Sequence, residues 1–167
     1  MSELSGSARR VQDELTRLGH DKPVVELSQS TRTAAAAAAA IGCTVGQIAK
    51  SLVFRTARTD SSLLVVASGV NRVDERAVAQ IVSIRIGPEE VLRADADFVR
   101  ERTGFAIGGV PPVGHDDPPL VLIDTDLFQF PIIWAAAGTP RAVFELTPWQ
   151  LVNLTGGTMA DIAKHTS

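Results

Sequence analysis

Two stretches of this chain combine residue types that chemistry needs. In "IAKSLVFRT", residues 48–56, a lysine stands inside an apolar run. On a strand, alternation puts Lys50, Leu52 and Phe54 on one face and Ser51, Val53 and Arg55 on the other. An ammonium on an apolar face is costly when buried without a partner. It either snorkels into water at the strand mouth or aims a compact cation at a phosphate or carbonyl oxygen in a cleft. The second stretch is "GFAIGGVPPVGH", residues 104–115. Gly108 and Gly109 permit positive φ and close approach of a ligand. Pro111 and Pro112 remove two amide donors and stiffen the loop. The amides that remain, among them those of Gly109, Val110 and Gly114, can form an oxyanion-binding concavity. The plain alternative is a hairpin turn. His115, directly after the bend, is either loop surface or the rim of a pocket.

A third stretch, "SGVNRVDER" at 68–76, follows an apolar run. Asn71 and Arg72 can meet a sugar or a phosphate there. They can equally be the approach to a helix capped by Asp74. Familiar constellations are missing. The chain has no Walker loop, no G-x-G-x-x-G opening a helix and no G-x-S-x-G elbow. His20, His115 and His165 lack metal-ligand spacing. Cys43, the single cysteine, excludes an internal disulfide and a cysteine metal cluster. It reads as a core thiol. No metal or organic cofactor is implied.

The elements that must position these residues fit one domain over residues 1–167. The hydrophobic fraction is 45% and the mean hydropathy +0.14, which is a globular balance. No apolar run approaches the roughly 18 residues that span a membrane. The N-terminus lacks the order of a signal peptide. The expectation is a cytoplasmic protein without membrane or DNA partners. The net charge of −3 argues against coating a duplex, but leaves room for a small footprint on one RNA end. Only Lys22, Lys50 and Lys164 among 16 basic residues are lysines. With alanine so abundant, that is a bias towards Arg and Ala, against which a lysine in a strand asks for a reason.

Periodicity and caps predict helices over 7–19, 30–42, 73–82 and 147–157, and one or two short ones within 87–104 led by Pro88 and two glutamates. Strands are expected at 23–27, 48–56, 61–69, 105–109, 120–124, 130–138 and 141–146. The segment 158–165 reads as a turn or helix. Strands and helices do not alternate cleanly. The predicted class is therefore mixed α/β, with a curved mixed sheet or partial barrel of six to seven strands surrounded by helices.

"IAKSLVF", "GFAIGGVPPVGH" and "IIWAAAGTPRAVFELTPWQL", in this order and spacing, resemble the YbaK/ProX family. These are free-standing aminoacyl-tRNA deacylases related to the editing domain of bacterial prolyl-tRNA synthetases. The likeness runs from about residue 24 to about 162. It implies a cleft for the 3′ end of a charged tRNA and hydrolysis of a wrongly attached amino acid in trans. The family's key lysine falls on Lys50 and its glycine loop on Gly108, Gly109 and Gly114. Pro111, His115, Asn71 and Arg72 join them as candidate substrate contacts. So do Ala136, Gly138 and Val143. Where cysteinyl-tRNA-Pro deacylases tend to carry Ser-Gly-Gly, this chain has Ala136, Ala137 and Gly138. Where they tend to have Asp or Ser, it has Val143. A less polar pocket favours a small apolar amino acid. Prolyl-tRNA synthetase or an elongation factor is the expected macromolecular partner. Two other functions remain: a non-catalytic module that binds an aminoacyl or nucleotide group or a synthetase, and a hydrolase of another ester or thioester.

Overall fold

Helix ends fall where the capping residues put them in the computed structural model, which describes residues 4–165. Helix α1 (Gly6–Arg17) buries Ala8, Val11 and Leu15. The alanine helix α2 (Ala34–Ile41) starts at Thr33, whose side chain accepts from the Ala36 N–H, and ends at left-handed Gly42. In α3 (Glu75–Ile86) the Asp74 carboxylate accepts from the N–H groups of Arg76 and Ala77. Asp95 caps α4 (Ala96–Thr103). Thr147 and Gln150 form a reciprocal capping box on α5 (Pro148–Thr155).

The strands are β1 (Val25–Glu26), β2 (Ile48–Thr56), β3 (Ser62–Ser68), β4 (Val91–Arg93), β5 (Leu120–Asp124), β6 (Ile133–Ala136), β7 (Ala142–Leu146) and β8 (Thr158–Ala160). They form one sheet in the order β1-β7-β6-β2-β3-β5-β8, with β4 added to β2. The pairs β2–β6, β3–β5 and β5–β8 are parallel, and the others are antiparallel. The sheet is mixed and does not close. Among the described residues it has eight strands, with five α-helices around it. The mixed α/β class stands.

Three local expectations are corrected. Residues 105–109 are not a strand. Phe105 is buried as the ring beneath the Arg10 guanidinium, 4.6 Å from its centroid, and the Gly109 N–H turns back to the Ala106 carbonyl. Pro88 does not open a helix. Gly87 ends α3 at positive φ, the Glu89 carboxylate takes the Arg58 and Thr59 amides, and Val91–Arg93 pairs with β2. Residues 158–160 form β8, because the end of β5 offers a free edge.

The sheet buries both faces. Ala49, Val53, Leu64, Val66, Val121 and Ile123 face α1, α4 and α5. Leu52, Phe54, Leu63, Val65 and Leu122 face α3 through Val78 and Val82. The alternation expected of β2 is observed. Helix α1 also presses on the β6–β7 turn at Gly138, which has φ +100° and would place a Cβ 2.6 Å from the Ser7 carbonyl oxygen. Gly138→Ala should therefore lower folding stability by roughly 1–3 kcal/mol, read from thermal unfolding. An unchanged melting temperature would mean that α1 is not held by this contact.

Candidate active site

Strand β2 is paired along its inner edge by β3, from Ala49 to Arg55. Its outer edge is shared. β6 takes Ile48 and Ala49, and β4 takes Phe54 to Thr56. Residues 50–53 are left with a strand on one side only. The direction of their main-chain groups follows from the flanking bonds. The Ile48 carbonyl accepts from Gly69, and the Thr56 N–H donates to Ser61, so even-numbered residues turn towards β3. The N–H and C=O of Ser51 therefore face outward, between the two ladders.

That gap in the sheet is a cleft, and residues 107–110 form its opposite wall. Two hollows meet there, both lined by Lys50, Ser51, Leu52, Ile107, Gly108 and Val110. The larger, about 420 Å³, has Arg72, Arg93 and Lys164 at its rim, with a single carboxylate, Glu75. The smaller, about 200 Å³, is walled by Ala34, Ala37, Trp134, Ala136 and Val143, with Arg32 at its mouth. One hollow is cationic and the other apolar. Lys50 stands where they join.

The Lys50 ammonium is half-buried. Burial pushes it below the usual lysine range; the Asp124 carboxylate works against this, and Arg72 adds to the lowering. Asp124 is fully buried at the end of β5. One of its oxygens accepts from the Ser68 N–H at 3.0 Å and the Asn71 side-chain amide at 2.8 Å, and the other from the Asp126 N–H at 2.9 Å. Three donors and a nearby ammonium make this buried charge tenable.

The loop 104–116 joins α4 to β5 and is not a hairpin. Gly108 has φ +94°, and Arg32 packs 3.3 Å from where its Cβ would be. A Cβ on Gly109 would lie 2.7 Å from the Thr139 backbone. The Gly109 carbonyl accepts from Gly138, and its N–H is committed to Ala106. Gly109 and Gly138 thus tie the loop to the β6–β7 turn. Farther along, the His115 Nε2 lies 2.6 Å from the Pro111 carbonyl oxygen, and Arg10 donates to the Gly114 carbonyl at 2.6 Å. His115 is largely buried, which lowers its pKa, and its ring packs on Phe105.

The candidate residues therefore divide. Lys50, Gly108, Arg72, Ala136 and Val143 line the cleft. Gly109, Pro111, Gly114, His115 and Gly138 brace the loop from behind. Asn71 bridges Asp124 and Asp126, with 2.8 Å and 2.7 Å contacts, and holds the turn that carries Arg72. Ser51, Asp124, Arg32, Arg93 and Lys164 were not singled out from the sequence. Lys164 alone carried a signal, as one of three lysines. Among the described residues, no group of three His, Cys, Asp or Glu side chains is placed to hold a metal ion. Nor is any helix there long and apolar enough to cross a membrane.

The chain as a whole is similar to known proteins. The sequence model of one family, described as an aminoacyl-tRNA editing domain, matches residues 28–154. A curated relative, the uncharacterized protein YwhH of Bacillus subtilis (strain 168), is 34% identical over 148 residues, covering 87% of this chain and 88% of that one. The crystal structure of a candidate trans-editing enzyme for prolyl-tRNA synthetase is 48% identical, with a TM-score of 0.90 over 98% of this chain and 100% of that one. A structure solved in work on scaffold proteins for presenting linear epitopes is 44% identical, with a TM-score of 0.89 and the same coverage.

Asp124→Asn should cost roughly 1–3 kcal/mol of stability, because a carboxylate oxygen that accepts two N–H groups is lost or reversed. It should also lower the Lys50 titration further, by removing the charge that supports the ammonium. Carbon-13 lysine NMR reads this directly in a chain with three lysines. A Lys50 titration unmoved by the substitution would separate the two groups.

Proposed function

Because the chain belongs to the aminoacyl-tRNA editing domain family, we propose that it is a free-standing hydrolase that removes a wrongly attached amino acid from the 3′ end of tRNA. The observation that carries the reading is the meeting of Lys50 and Gly108 at the junction of a cationic and an apolar hollow. The terminal adenosine and its phosphates suit the larger hollow, where three rim cations surround Lys50. The amino-acid side chain suits the smaller, whose Ala136 and Val143 favour a small apolar group. The ester between them then lies at Lys50.

In that position water adds to the ester carbonyl carbon, and the carbonyl oxygen gains negative charge. Collapse breaks the bond to the ribose oxygen, which takes a proton. Free amino acid and tRNA with its hydroxyl restored are the products. The Lys50 ammonium and main-chain N–H groups at Gly108 and Val110 are the candidates for stabilising the oxyanion. Each fixed donor of this kind is worth about 10²–10³ in rate. The sequence holds no G-x-S-x-G elbow, and the reaction asks for no protein nucleophile when water or a substrate hydroxyl attacks. The similar solved structure named for prolyl-tRNA synthetase favours tRNA-Pro as the carrier.

Pure protein incubated with a panel of mischarged tRNAs should deacylate at least one, and Lys50→Ala should remove at least ~99% of that rate, in line with the loss of one oxyanion-stabilising donor. A broad panel left intact overturns the hydrolase. Binding of the aminoacyl end without turnover would instead select the non-catalytic module, which the apolar lining at Ala136 and Val143 also allows. Arg72→Ala and Lys164→Ala should raise KM with little change in kcat and flatten its salt dependence, because they contact phosphate and not the reacting carbon. A fall in kcat alone would place them at the ester.

A further inference from the structure

Of the three cations at the rim of the larger hollow, Arg93 has the only carboxylate there, Glu75, at 3.6 Å. Arg72 and Lys164 remain, and they stand on neighbouring pieces of main chain. Val73 and Ala163 form an antiparallel bridge. The Lys164 N–H donates to the Arg72 carbonyl at 2.7 Å, and the Asp74 N–H to the Ile162 carbonyl at 2.8 Å. This register sets Arg72 directly opposite Lys164. Residues so opposed send their side chains to one side, with Cβ atoms about 5 Å apart, and like charges in that position destabilise the pair.

No acid near in the chain relieves the opposition. Asp74 accepts from the Arg76 and Ala77 N–H groups, Glu75 faces Arg93, and Asp161 lies 3.0 Å from the His165 ring. Both charges are nevertheless held in place. Ile162 is fully buried in the cluster that contains Val78 and Val82 of α3, and Ala163 beside Lys164 is buried too. Asn71, bonded to Asp124 and Asp126, fixes the turn that carries Arg72. Two like charges held face to face at the mouth of one hollow form a preset seat for an anion.

We infer that Arg72 and Lys164 form a clamp for one phosphodiester, the one that joins the last two nucleotides of the tRNA. The inference rests on the reading above, which seats the tRNA end in this hollow. The guanidinium offers a planar fork and the ammonium a rotatable point charge, so the two take different oxygens of one phosphate. Arg72 lies near enough to Lys50 to act on its ammonium. The phosphate closest to the ester is therefore the one within reach, and Lys50 is left for the ester itself. The bound phosphate also cancels the repulsion that the empty clamp carries. Binding and folding are thereby coupled at this rim.

Calorimetry on the whole chain tests this with adenosine and with adenosine 5′-(methyl phosphate), which adds one phosphodiester and no second base. The diester should bind about tenfold tighter or better. Arg72→Gln and Lys164→Met should each erase most of that gain. The double variant should lose little more than either, because one phosphate is shared. Lys164→Glu turns the opposition into an ion pair. It should raise the melting temperature of the free chain by about 1–3 °C at low salt and abolish the diester's advantage. A diester no tighter than adenosine, losses that simply add in the double variant, or a Lys164→Glu chain that melts no higher than wild type overturns the clamp. Inorganic phosphate that binds as tightly as the diester overturns its assignment to RNA. None of these measurements needs turnover, so failure to deacylate any charged tRNA overturns the hydrolase reading alone.

Discussion

The cleft exists because the outer edge of β2 is claimed by two short strands that do not meet. β6 arrives parallel at one end and β4 antiparallel at the other. A longer β6 or β4 would zip the edge shut and leave a continuous sheet with no interior access. The interval between them opens the unpaired main chain of Ser51 and Val53, two hollows and a lysine at one place. Strand length at two distant points of the chain is therefore the constraint on which the site's geometry depends.

The facing wall must be stiff, because it has no strand partner of its own. It is stiffened from behind. Arg10 on α1 stacks over Phe105 and bonds to the Gly114 carbonyl and to Asp116. The His115 ring holds the Pro111 carbonyl, and Gly138 holds that of Gly109. These contacts use side chains and main-chain groups on the side away from the cleft. The loop can then present Ile107 and the Gly108 main chain to the cleft, while Val110 packs into the core beside them. The glycines serve two ends: Gly108 adopts a left-handed backbone beneath Arg32, while Gly109 lets two loops touch.

Much of this was legible in residue order. Asp74 and Thr147 marked helix starts, the Ser/Thr run at 30–33 left the start of α2 open by a few residues, and two-residue alternation placed Lys50 on β2. The mixed sheet followed from strands that do not alternate with helices. What was hidden is non-local. A three-residue strand such as β4 or β8 carries too few residues to show a period, and it forms only because another strand offers an edge. Phe105 read as a strand residue since burial beneath an arginine and burial in a sheet look alike in sequence. His115 and Gly114, close to Gly108 along the chain, turn to the opposite side of the loop. Asp124 looked like the polar end of an apolar strand, and only the folded chain brings Ser68, Asn71 and Lys50 around it.

The uneven spread of charge has a further consequence. Four cations and one carboxylate line the larger hollow, yet the chain as a whole is acidic at −3. The outer surface must then be more negative than the total suggests. An anionic group that reaches this hollow meets a local charge opposite in sign to that of the chain as a whole, so the cleft concentrates anions that the rest of the surface does not attract.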